Sequence, residues 1–105
     1  MRIYVAGPLN ADACGYIKNL SKMYRVGLAI HCMGHSPFIP GADVLLGLMA
    51  GDFEYADYFN ANTEWLKVSD AVFVIASSPG VEQEVAIAED LQIPIYHRLE
   101  DIPCA

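Results

Sequence analysis

The stretch AVFVIASSPGVEQE, Ala71 to Glu84, decides how the chain is read. Its first half, Ala71 to Ala76, is an unbroken β-branched and aromatic run, the composition of a central strand in a parallel sheet. Its second half opens a helix. Ser78 can cap that helix, Pro79 suits its first position, and Gly80 lets a ligand approach the backbone. The helix then runs from about Pro79 to Leu91, and IPIY, Ile93 to Tyr96, reads as a further strand.

The rest of the chain repeats the alternation. RIYVA, Arg2 to Ala6, is a short strand stopped by Gly7-Pro8. A helix is expected from about Asp12 to His31, with Ala13, Ile17, Leu20, Tyr24 and Leu28 recurring at three- and four-residue steps. SPFIP, Ser36 to Pro40, is a strand whose prolines cannot donate ladder hydrogen bonds, which puts it at a sheet edge. A short helix around Val44 to Met49 and a longer one from about Phe53 to Lys67 precede Ala71.

Strands alternating with helices imply an α/β fold with right-handed crossovers. The expected architecture is one domain, residues 1–105, built on a small doubly wound, flavodoxin- or Rossmann-like parallel sheet. The expected strand order is 2-1-3-4, with helices on both faces. The chain reverses direction between the first and third strands, and ligands bind at the carboxyl ends of strands at such a switch point. The turns that meet there are Gly7-Pro8-Leu9-Asn10 and Ser77-Ser78-Pro79-Gly80.

One residue breaks the helical pattern. With Val81 at zero and about 100° per residue, Val81, Val85, Ile87, Ala88 and Leu91 form one apolar arc, and Glu84 falls near 300°, inside it. Glu82, Glu89 and Asp90 take the solvated side. An unpartnered buried carboxylate costs several kcal/mol, so the placement needs a reason. A carboxylate helped by the helix dipole is the bland reading; its position one turn beyond the switch-point turn favours a working group. On the preceding helix Asn62 lies similarly among Tyr55, Tyr58, Phe59, Trp65 and Leu66.

Composition limits the partners. The net charge is −7, from six Lys plus Arg against thirteen Asp plus Glu, with no basic cluster, which disfavours nucleic acid. A small phosphorylated ligand remains compatible, because Ser77, Ser78 and the N–H groups of Gly80 and Val81 could cradle an anion. No apolar run reaches the ~18–20 residues of a membrane span, and a cytoplasmic location is expected. Cys14, Cys32 and Cys104 read as reduced thiols. His31 and His35 flank a helix end marked by Gly34, where they favour the dipole, and no metal site is expected.

IYVAGPL (Ile3 to Leu9), GHSPFIP (Gly34 to Pro40) and EWLKVSDAVFVIASSPGVEQEVAIAEDLQIPIY (Glu64 to Tyr96) together resemble the nucleoside 2-deoxyribosyltransferase superfamily. That group includes 2′-deoxynucleoside 5′-phosphate N-hydrolases. The most specific piece is the block from Asp70 to Glu84. The resemblance implies that Glu84 attacks the anomeric carbon of a nucleoside sugar, that Tyr4 orients it, and that Ser78 and Gly80 line the sugar or 5′-phosphate pocket. It also implies a homodimer or larger assembly, often with the neighbour's C-terminal segment completing each pocket. The departure is Asn62, three residues before the Trp65-Leu66 pair, where active members carry an aspartate that protonates the leaving base.

The expected function is therefore cleavage or transfer at the N-glycosidic bond of a nucleoside or nucleotide. Catalysis would rest on Glu84, Tyr4 and Asn62; binding would rest on Gly7, Pro8, Asn10, Ser77, Ser78, Gly80 and Val81. No cofactor is required. A non-catalytic nucleotide- or ADP-ribose-binding module is the alternative, favoured by Asn62 and by the shortness of the chain beside active members. A flavin protein is a weaker third. A homodimer is expected through the aromatic face around Phe53, Tyr55, Tyr58 and Phe59, since a small domain buries so many aromatics with difficulty.

Overall fold

Alternation along the first strand organises the molecule. In the computed structural model, which describes residues 1–9, 13–43, 49, 51 and 54–105, β1 (Arg2–Ala6) points Ile3 and Val5 to one face and Tyr4 and Ala6 to the other. All four side chains are buried. A strand with both faces covered is what a doubly wound sheet requires of its centre.

The sheet is parallel throughout, in the order β2-β1-β3-β4, with β2 at Ser36–Phe38, β3 at Ala71–Val74 and β4 at Ile95–Tyr96. The expected order is the observed one. Pro37, unable to donate, pairs with Ile3 on the edge strand, as its chemistry demands. At the amino end, Asp70 ties β3 to β1. Its Oδ2 accepts from the Arg2 backbone N–H at 2.7 Å, and the Arg2 guanidinium lies 3.4 Å away. These contacts hold the Asp70 carboxyl below the ordinary aspartate range.

On one face lies α1 (Ala13–Cys32), packed over Ile3, Val5, Ala71 and Phe73 with Met23 and Ile30. Ile102, just after a short 3-10 turn at Leu99–Asp101, joins this layer. On the other face lie α2 (Tyr55–Lys67) and α3 (Pro79–Asp90). There Leu66, Val81 and Ala88 cover Tyr4, Ala6, Val72 and Val74. The short helix expected around Val44 to Met49 falls, apart from its last residue, outside the described residues, as do Phe53 and Asn10.

The apolar stripe read on α1 is not its core face. Ile17, Tyr24 and Leu28 are 67%, 49% and 63% exposed, while Met23 and Ile30 are fully covered. The helix is apolar on more than one side, so period alone could not choose. On the covered side Gly27 lies close to the segment after β2, where an added Cβ would sit 2.8 Å from Ile39 Cδ1. Leu91, placed in the α3 arc, is 48% exposed because the helix ends before it and Gln92 turns into the left-handed region at φ 59°. Trp65 also leaves the face assigned to it, at 57% exposed.

Gly34 ends α1 at φ +90° with its N–H on the His31 carbonyl. His35 does not serve the dipole. Its ring is buried, and Nε2–H donates to the Pro103 carbonyl at 2.5 Å, fastening the C-terminal segment to this corner. The segment therefore packs on the α1 side of its own sheet.

Leu66 is the largest wholly covered aliphatic side chain in the α2–α3 layer. Leu66→Ala is expected to cost about 2–5 kcal/mol, lowering the thermal midpoint by roughly 10 °C or more. Calorimetry of both proteins measures this directly.

Candidate active site

Tyr4 sits mid-strand on the face covered by α2 and α3, and the rise of its ring carries the phenol to α3. There the Tyr4 hydroxyl donates to Glu84 Oε2. The wheel reading of Glu84 as an acid turned toward the core side is matched by its half-buried position in the structure. Burial pushes the Glu84 carboxyl above the ordinary glutamate range, and the Tyr4 hydrogen bond pulls back part of that rise by favouring the charged form.

The other oxygen, Oε1, accepts no hydrogen bond among the described residues. No wholly buried side-chain oxygen or nitrogen among them lacks a partner, so Oε1 is not wholly buried. Tyr4 thus holds one oxygen of the carboxylate and leaves the other without a hydrogen bond among the described residues.

The carboxyl ends of β1 and β3 lie side by side where the two turns begin. The Ile75 N–H donates to the Ala6 carbonyl at 2.8 Å, extending the β1–β3 ladder past the strand ends. Gly7 lies against Ile75, where an added Cβ would stand 3.4 Å from its side chain. Pro8 follows, half-buried. Ser78 caps α3 as its sequence predicts: its Oγ accepts from the Val81 N–H at 3.2 Å, with Pro79 next in the first turn. Ser77 Oγ donates to Glu82 Oε1 at 3.4 Å. Asn62 is half-buried on α2, one turn before Leu66.

An aromatic wall was not foreseen. Tyr4 stacks on Phe38 at 5.6 Å between centroids, and Phe38 stacks on Trp65 at 5.7 Å. Register creates it, because pairing Tyr4 with Phe38 across β1 and β2 sets the rings side by side. Periodicity carries no register, so only the spacing Ser36-Pro37-Phe38 against Arg2-Ile3-Tyr4 could have hinted at it.

Removing the Tyr4 hydroxyl tests its electrostatic effect. Tyr4→Phe deletes the bond that favours ionised Glu84, so the acid limb of any pH–rate profile should move to higher pH. An unmoved limb would show that the phenol does not tune this carboxyl.

No family profile matches the chain, and no curated protein matches it. A solved structure does: that of a 2-deoxyribosyltransferase from the psychrotolerant bacterium Bacillus psychrosaccharolyticus. It superposes with a TM-score of 0.71 at 23% sequence identity, covering 90% of this chain and 69% of that one. With the all-parallel 2-1-3-4 sheet and its helix layers, this chain has a nucleoside 2-deoxyribosyltransferase-like fold.

Proposed function

We propose that this protein cleaves or transfers at the N-glycosidic bond of a nucleoside or nucleotide, with Glu84 as nucleophile. The observation that carries the reading is the Tyr4–Glu84 pair: a half-buried carboxylate held through one oxygen, on the helix that Ser78 caps. The likeness in fold to a 2-deoxyribosyltransferase supports it.

In the proposed reaction Oε1 of Glu84 bonds to C1′ as the C1′–N bond breaks, and that electron pair leaves with the base. A glycosyl ester forms. Water or a second base then attacks C1′ and returns the carboxylate, as in a retaining glycosidase. Tyr4 holds Glu84 in line, Gly7, Pro8, Ser77, Ser78, Gly80 and Val81 border the sugar, and Asn62 faces the leaving base. Asparagine has no titratable proton to give. Leaving groups that need none, such as nicotinamide from a pyridinium nucleotide, should therefore depart most readily.

The test is base release from deoxynucleosides, their 5′-monophosphates and NAD, followed by chromatography. Equal rates for wild type and Glu84→Ala throughout would end the reading. A nucleotide that raises the melting temperature without being consumed would favour a binding module instead, the role to which Asn62 points.

A further inference from the structure

Trp65, the single tryptophan of the chain, is 57% exposed, yet its ring is not idle. It stacks on Phe38 with 24° between the planes, and Phe38 stacks on Tyr4 with 26° between theirs. The row ends at Glu84, because the Tyr4 hydroxyl donates to Oε2. Side chains from α2, β2 and β1 thus lead from the surface to the half-buried carboxyl.

A phenol oxygen stands at the far end of a rigid ring, so a small tilt at Cβ carries it out of hydrogen-bond reach. On the sheet Tyr4 pairs with Val72 of β3 and with Phe38 of β2, which flank it on its two sides. The helix that bears Glu84 packs over β3 and β4, so the carboxyl draws the phenol from the β3 side. Phe38 stands on the other side, where a tilt toward β2 would break the bond. Because β2 is an edge strand, the sheet does not hold the far flank of Phe38. Trp65 covers it there. Offset stacking suits the task, since aromatic pairs favour a defined ring geometry and aliphatic contacts do not.

We propose that Phe38, backed by Trp65, is a positioning residue: it braces the Tyr4 ring from the side opposite Glu84 and so keeps the phenol on the carboxylate. The inference rests on the glycosidic reading above for its part in turnover and deepens it, but its first test needs no substrate.

NMR of glutamate-labelled protein follows the ionisation of Glu84, whose carboxyl signal is the one lost in Glu84→Gln. Tyr4→Phe sets the scale: without the phenol's hydrogen bond the carboxyl should ionise at higher pH. Phe38→Leu keeps apolar bulk without a ring face, and should move the titration the same way by about half as much or more. Trp65→Leu should move it less, and Phe38→Tyr, which keeps the ring, should titrate as wild type does. In the Tyr4→Phe background Phe38→Leu should add nothing, because the two act through one bond. A ring that only fills space would lower the melting temperature and leave the titration in place. That result overturns the proposal, as does an added shift in the Tyr4→Phe background. Should Phe38→Leu fail to fold, Trp65→Leu decides, and an unmoved titration there overturns the brace.

Activity keeps the two readings apart. With Glu84 as nucleophile, the acid limb of kcat/KM for deoxynucleoside base release should follow the titration in each variant. Base release indifferent to Glu84→Ala ends the glycosidic reading, while a shifted titration still upholds the brace. An unmoved titration ends the brace and leaves the glycosidic reading intact.

Discussion

Glu84→Gln should lower base release about 10⁴-fold or more, while nucleoside binding changes only a few-fold. The amide keeps the shape of the side chain and an oxygen for the Tyr4 hydroxyl, but it cannot form and release a glycosyl ester. Single-turnover assays beside binding isotherms separate the two effects. A variant retaining even a tenth of wild-type turnover would remove Glu84 from the chemistry.

The same substitution carries a stability signature. Because burial raises the Glu84 pKa in the folded protein, the folded state binds this proton more tightly than the unfolded chain does. The stabilising contribution is therefore complete below the ordinary glutamate value and is lost as pH rises through the raised one. At neutral pH the ionised side chain is a burden on the fold, which glutamine relieves. Glu84→Gln is expected to melt higher than wild type at pH 7, with the advantage shrinking toward pH 4. Stability yielded at a working carboxylate is a familiar exchange.

Asn62→Asp should act in the opposite direction on rate. A carboxylic acid placed to protonate a departing purine or pyrimidine is worth about 10²–10⁴-fold, and asparagine supplies none of it. The gain should be confined to leaving groups that need a proton. Adenine or cytosine release should rise about a hundredfold, while nicotinamide release from a pyridinium nucleotide should hardly move. The new acid must be protonated to work, so the variant should also acquire a descending alkaline limb in kcat/KM. Equal acceleration of both substrate types would mean that position 62 acts by packing rather than by proton transfer.

The fold was legible because its signals are local and redundant. The β-branched run from Ala71, the Ser78-Pro79-Gly80 helix start and Pro37 of the edge strand each speak to one layer of the architecture. Their agreement fixed the strand order, which the structure has. The candidate site was partly legible for a similar reason: a glutamate inside an apolar arc contradicts helical patterning, and the contradiction pointed to Glu84. The face of α1 was misread because Ile17, Tyr24 and Leu28 satisfy the same period as Met23 and Ile30. Periodicity ranks faces by apolar content, whereas packing ranks them by fit, and Gly27 fits closely beside Ile39.

Sequence by itself determined the α/β alternation, the edge position of Ser36–Phe38, the cap at Ser78 and the anomalous acid at position 84, since each follows from the chemistry of neighbouring residues. Tertiary structure brought Tyr4, eighty positions away, to Glu84, a pairing that the family resemblance implied and no local pattern could. It also decided that Phe38 and Trp65 extend its ring into a wall, and that Ser77 turns to Glu82. Those contacts depend on strand register and on the rotation of helices over the sheet, and both are set by long-range packing that no local pattern encodes.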